Sequence, residues 1–308
     1  MPALRVGVPS EELAEDLAAH AGERPVDVTV WVVGDPPPAT PFDILVLTYM
    51  IPAPELRRLP AGVARVLQGQ SLGYDGVADN LGPGFVYCNA VEVHEASTAE
   101  LAVGLMIADR RGFPTFFDAG GRGEWAHGPQ PGLAGSQVLL LGVGGVGEQV
   151  RRRLEAFEVD LVRAARRPRA DEHGWVHGID RLDALLAEAD IVVLAVPLDG
   201  STRGMVSTDF LAQMKDGALL VNVARGPVVD TAALVEAVRD GRIRAALDVT
   251  DPEPLPPDHP LWSAPTVTIT PHIGGFTGAM RWRMRRVLLR QIDLLLAGSD
   301  PEDVVVRT

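Results

Sequence analysis

Three short stretches in the second half of the chain carry residues suited to chemistry on a carboxylate. They are "LLVNVARGPVVD" with Arg225, "AALDVTDPEPLP" with Glu253 and "TITPHIGG" with His272. An arginine can hold a carboxylate in a two-pronged fork, and a histidine can pass a proton near neutral pH. A glutamate beside that histidine would orient its ring and stabilise its charged form. Each stretch contains a short apolar run of strand type, so all three residues fall near the C-terminal ends of strands. In open parallel sheets that edge is where ligands bind.

A fourth stretch, "QVLLLGVGGVGEQV", places Gly142, Gly144 and Gly147 in the spacing G-x-G-x-x-G, directly after a strand pattern and at the start of a helical one. The first glycine permits a tight turn, the second lets the backbone approach a pyrophosphate, and the third allows close helix–strand packing. With Gly145 and Val146 between them, the loop would offer free N–H groups and a helix dipole to an anion. The following strand, "LVRAARRPR", normally ends in an acid that accepts from a ribose 2′-hydroxyl. Here Ala165 stands in that place, followed by Arg166 and Arg167. Loss of the acid removes repulsion of a 2′-phosphate, and the arginines, with Arg169 nearby, supply forked donors to it. NADP(H) is the expected cofactor, with NAD(H) the second option.

Short apolar runs alternate with helical patterns along the whole chain, which points to an α/β protein with parallel sheets. The first third offers "LRVGV", "VTVWVV", "DILVLT", "ARVLQ" and "FVYC" as strands, with "PAPELRRLP" among the crossovers. "EASTAELAVGLMIADRR" is apolar at helical spacing and long enough to join two domains. The Gly-rich segment after it, Gly112 to Gly135, reads as an extended surface arm. "QVLLLG", "DLVRAA", "DIVVLAV", "ALLVNVA", "RAALDVT" and "VTITP" then form a second set of strands, and a long helical pattern runs from Gly278 to Leu296.

The composition narrows the partners. The net charge of −13 disfavours nucleic acid and anionic membranes, which call for a basic face. Lys215 is the only lysine, a poor basis for Schiff-base chemistry, and Cys88 is the only cysteine, so no internal disulfide or cysteine-rich metal site is expected. No metal site is expected at all. The N-terminus lacks a signal-peptide pattern and no apolar run approaches the roughly 18 residues of a membrane span, so a cytoplasmic protein is expected.

Taken together, the ordered series "GQSLGYDGV", "STAELAVGLMIADRR", the glycine loop, "LAVPLDGSTRGMVS", "LVNVARGPVVDTAAL", "ALDVTDPEPLP" and "PHIGG" resembles the D-isomer-specific 2-hydroxyacid dehydrogenases over nearly the whole chain. That resemblance implies a Rossmann coenzyme domain (98–276) inserted in a flavodoxin-like substrate domain (1–97 and 277–308), both doubly wound parallel sheets. It implies that Arg225 binds the substrate carboxylate and carbonyl, that His272 is the acid/base, and that Glu253 is its partner. The amides of Leu72 and Gly73 would hold the substrate carboxylate. Val196, Pro197, Val223 and Ala224 would line the cofactor, and Asp248 would contact the nicotinamide amide. A cleft closing over substrate, with hinges near Ser97 and Phe276, and a homodimer formed through the 112–135 arm are further implications. Glu253 disfavours a formate-oxidising relative, and Leu72 in place of a lysine disfavours a phosphite-oxidising one. "SLGYD" with the arginine pair is most similar to the glyoxylate/hydroxypyruvate reductase branch, acting on small 2-oxo and 2-hydroxy acids. A nucleotide-sensing, corepressor-like protein on the same fold is the alternative.

Overall fold

Five apolar runs of the first third become strands β1 (Leu4–Val8), β2 (Val26–Val30), β3 (Phe42–Val46), β4 (Ala64–Gln68) and β5 (Val86–Cys88) in the computed structural model, which describes residues 3–308. They pair in parallel in the order β2–β1–β3–β4–β5, the flavodoxin-like order. A C-terminal strand, Val304–Arg307, pairs antiparallel with β5 and makes this sheet mixed. Alternate side chains leave a strand on opposite faces, so a sheet covered on both sides needs near-continuous apolar runs. On one face Val6, Val8, Ile44, Val46 and Val66 pack with Met284, Leu288, Ile292 and Leu295 from helix Ala279–Leu296. On the other, Leu45, Leu47 and Leu67 pack with Trp31, Leu56 and Phe85. "PAPELRRLP" makes only a short 3-10 helix, Ala53–Arg58.

The later runs form strands β6 (Gln137–Leu141), β7 (Asp160–Ala165), β8 (Arg169–Asp171), β9 (Gly174–Gly178), β10 (Ile191–Leu194), β11 (Leu219–Asn222), β12 (Arg244–Leu247) and β13 (Val267–Ile269). Their order is β8–β9–β7–β6–β10–β11–β12–β13, parallel except for β8 against β9. The order reverses between β6 and β10, the switch point where doubly wound sheets bind nucleotides. Leu139, Leu141, Val192, Leu194 and Leu220 face one core, and Val138, Leu140, Ile191, Val193 and Val221 face the other. Helix Glu95–Arg110 contributes Ala99, Ala102, Val103 and Met106 to the second of these cores.

By contacts the chain forms two compact units, one up to Glu95 together with Phe276–Thr308 and one of Ala96–Gly275. Three features differ from the sequence expectations. The β8–β9 hairpin and the C-terminal strand were not foreseen, and part of the 112–135 arm is helical. Gly112, at φ +65°, starts a helix over Phe113–Gly121, in which the tilted rings of Phe113 and Phe117 lie 5.4 Å apart. Spacing of three to four residues between aromatics is a helical signal that the many glycines obscured. Among the described residues no helix is long and apolar enough to cross a membrane.

Candidate active site

The glycine loop lies at the end of β6, at the switch point. Gly142 has φ +105°, and a Cβ there would lie 2.3 Å from the Ala195 carbonyl oxygen, so only glycine fits. A Cβ on Gly147 would lie 2.1 Å from the Gly142 oxygen, which is the close packing expected of the third glycine. Gly144 faces open space, with nothing within 4 Å of its missing Cβ. It caps helix Gly145–Leu154, and no side chain caps the first-turn amides. A turn, an open approach and uncapped amides at a helix start fit a dinucleotide pyrophosphate, which Gly144, Gly145, Val146 and Gly147 would hold.

Beyond β7, Arg166 and Arg167 are exposed, and Arg169 begins β8. Arg166 is already engaged, because its Nη2 donates to Asp199 Oδ2 at 2.5 Å and to Ser201 Oγ at 3.0 Å. Val196 and Pro197 follow β10 after Ala195. Val223 and Ala224, both buried, follow β11.

Arg225 sits on the turn after β11, which Asn222 builds. This fully buried amide donates to the Arg225 carbonyl at 3.1 Å and accepts from the Ala224 N–H at 3.0 Å. The Arg225 Nη1 donates to the Ala224 carbonyl at 2.7 Å, which sets the base of the guanidinium. Next to it, Gly226 runs against the loop that leads to Glu253. Asn222 and Gly226 were not singled out in the sequence, although both lie inside the quoted "LVNVARG".

His272 Nδ1 lies 2.6 Å from Glu253 Oε1. Burial pushes the Glu253 carboxyl up, but the His272 hydrogen bond and charge, then a backbone hydrogen bond from Thr250 and the Arg225 charge, outweigh it and hold the group below the usual glutamate range. A carboxylate only accepts, so Nδ1 carries the hydrogen and Nε2 is the nitrogen left for substrate chemistry. His272 has φ +53°, a left-handed conformation uncommon outside glycine. Backbone and carboxylate bonds hold it there. The His272 N–H donates to the Asp248 carbonyl at 2.8 Å, and the Asp248 carboxylate accepts from Thr270 Oγ1, Ile273 N and Gly274 N at 2.6, 3.0 and 2.9 Å. The resemblance gave Asp248 to the nicotinamide amide. The buried carboxylate spends three of its roughly four acceptor positions on the His272 loop, so it is first of all the organiser of that loop.

In the first unit, Leu72 and Gly73 lie past the C-terminal end of β4. Gln70 Nε2 donates to the Leu47 carbonyl at 2.8 Å, Ala90 N to the Ser71 carbonyl at 3.0 Å and Asn89 Nδ2 to the Leu72 carbonyl at 2.7 Å. The last two bonds hold the Ser71 and Leu72 carbonyls, and the first ties the Gln70 side chain to the chain just past β3. Among the described residues neither the Leu72 nor the Gly73 amide has an acceptor, so both can serve a ligand. No cluster of three or more His, Cys, Asp and Glu among the described residues is placed to hold a metal ion.

Comparison with known proteins adds three kinds of likeness. The sequence model described as D-isomer specific 2-hydroxyacid dehydrogenase, NAD binding domain, matches residues 103–274. A glyoxylate reductase of Thermofilum pendens is 34% identical over 254 residues, 78% of this chain and 74% of that protein. A mouse glyoxylate reductase/hydroxypyruvate reductase is 37% identical over 210 residues, 66% of this chain and 63% of its own. Among solved structures, an NADPH-dependent glyoxylate/hydroxypyruvate reductase from Sinorhizobium meliloti, in complex with NADP and malonate, superposes with a TM-score of 0.78 at 27% identity, covering 98% of this chain and 97% of that one.

Proposed function

Because the chain belongs to the D-isomer specific 2-hydroxyacid dehydrogenase family, we propose that it is an NADP(H)-dependent reductase of small 2-oxo acids, of the glyoxylate and hydroxypyruvate type. Its products would be D-2-hydroxy acids, or achiral glycolate from glyoxylate. The observation that carries this reading is the 2.6 Å bond between His272 and Glu253 at the carboxyl end of the sheet that bears Arg225.

The reduced nicotinamide, when bound, supplies the hydride. His272 donates the Nε2 proton to the carbonyl oxygen of the 2-oxo acid, and Glu253 stabilises the imidazolium until it does. Arg225 holds the substrate carboxylate and polarises the carbonyl, and the amides of Leu72 and Gly73 take a share of the carboxylate. Gly142, Gly144 and Gly147 admit the pyrophosphate, Arg166 and Arg167 take the 2′-phosphate, and Val196, Pro197, Val223 and Ala224 line the cofactor. Asp248 has one acceptor position left for the carboxamide. We assign the protein to the cytoplasm as a homodimer joined through residues 112–135, where Phe117 and Trp125 are 72% and 94% exposed. A binding-only, nucleotide-sensing role is the alternative; the likeness to glyoxylate and hydroxypyruvate reductases favours the enzyme.

Loss of NADPH absorbance with glyoxylate, hydroxypyruvate and a panel of larger 2-oxo acids tests the reading. Turnover of the small acids is expected. No turnover of any 2-oxo acid, with NADPH binding intact, would overturn it in favour of the binding role.

A further inference from the structure

The acid missing from the end of β7 is present in space. Asp199, in the loop after β10, brings its carboxylate to Arg166 at 2.5 Å. β7 and β10 flank β6 on either side, so both loops leave the sheet next to the glycine turn. Asp199 is fixed by its own turn, since Ser201 donates to Oδ1 through its N–H at 2.7 Å and its hydroxyl at 2.6 Å, and the Asp199 N–H donates to Thr202 Oγ1 at 2.8 Å. The two Ser201 bonds lead in holding the Asp199 carboxyl down to about 2; burial opposes them, and Arg166 adds to the lowering. It is therefore an anion at every working pH. The arginine pair consequently presents one uncompensated cation, Arg167, rather than two.

We propose that Asp199 is a specificity-determining residue that sets the balance between NADPH and NADH. Its carboxylate opposes a 2′-phosphate at Arg166, and it restores an acceptor for the 2′-hydroxyl of NADH. The inference rests on the reading of Arg166 and Arg167 as the 2′-phosphate site. It follows that the wild-type protein uses both cofactors, with NADPH favoured less than the arginines alone would give.

Asp199→Asn keeps the acceptor for Ser201 and removes the charge. Dissociation constants for NADPH and NADH, titrated by nicotinamide fluorescence at low ionic strength, supply the readout. The variant should bind NADPH about two- to fivefold more tightly, the scale of an exposed ion pair, with no gain for NADH. The gain should vanish in an Arg166→Ala background. If Asp199→Asn does not fold by circular dichroism, Asp199→Ser gives the same comparison. An unchanged or weaker affinity for NADPH, or a gain that persists without Arg166, overturns the role of Asp199. If Arg166→Ala and Arg167→Ala each leave NADPH binding unchanged, the 2′-phosphate site itself is overturned.

Discussion

A Cβ placed on Gly226 would lie 1.8 Å from the carbonyl oxygen of Thr250. The turn that carries Arg225 is thus in backbone contact with the loop that leads to Glu253, and the two side chains of the proposed active site share one support. Gly226→Ala should destabilise the protein by about 1–3 kcal/mol, because backbone on both sides cannot yield as a side chain could. It should also lower kcat/KM well beyond what lost folding explains. Thermal unfolding and kinetics on the folded fraction measure the two effects; wild-type values in both would show that the loops are independent.

Arg225→Lys keeps the charge and loses the planar fork. Reduction of 2-oxo acids should fall roughly ten- to hundredfold in kcat/KM, the worth of one or two bonds to a charged group. NADPH affinity should stay nearly constant, since the proposed nucleotide site is the glycine loop. Steady-state kinetics beside a binding titration separate these readouts.

The Glu253–His272 pair makes a statement about pH. The Glu253 carboxyl is held below its ordinary value, so its contribution to the pair is complete above the ordinary glutamate range and is lost only as pH falls through the lowered value. The pair should therefore survive mild acid, and reductive kcat/KM should not decline on the acid side until the pH is below the ordinary glutamate range. Glu253→Gln removes the carboxylate that accepts from His272 Nδ1 at nearly constant shape. Reduction and alcohol oxidation should both slow, and the acid-side loss that belongs to Glu253 should disappear from the activity that remains. Wild-type rates with an unchanged acid limb would remove Glu253 from the mechanism.

Asp248→Asn exchanges one accepting oxygen for an amide in a buried position where only donors converge: Thr270 Oγ1, Ile273 N and Gly274 N. At least one hydrogen bond must be lost, at a cost of about 1–3 kcal/mol. The His272 loop should loosen. A lower Tm together with a reduced kcat is expected, and an unchanged Tm would show that the carboxylate is not the organiser of that loop.

How far these arrangements were legible in the sequence depended on their range. Gly142, Gly144 and Gly147 are three residues of one turn, so their spacing alone states the geometry. That Arg225, Glu253 and His272 lie past the carboxyl ends of β11, β12 and β13 was legible because each follows an apolar run of strand type. The partner of Arg166 was not legible. Asp199 lies 33 residues away on another loop, and only the strand order β7–β6–β10 brings the two together. Asp248 was read as a ligand contact because its bonds to residues 270–274 are invisible until β12 and β13 are side by side. The helix Phe113–Gly121 was hidden by glycines that proved to be at its ends.

The interleaving of the two units has a consequence for how the chain is made. One face of the first sheet is covered by Met284, Leu288, Ile292 and Leu295, and its edge strand is Val304–Arg307. At ribosomal speed the roughly 180 residues of Ala96–Gly275 take on the order of ten seconds or more to emerge, and they hold a complete core of their own. The nascent chain therefore finishes its nucleotide-binding half first. The strands synthesised before it must wait, with Ile44, Val46 and Val66 uncovered on that face, until helix Ala279–Leu296 leaves the ribosome.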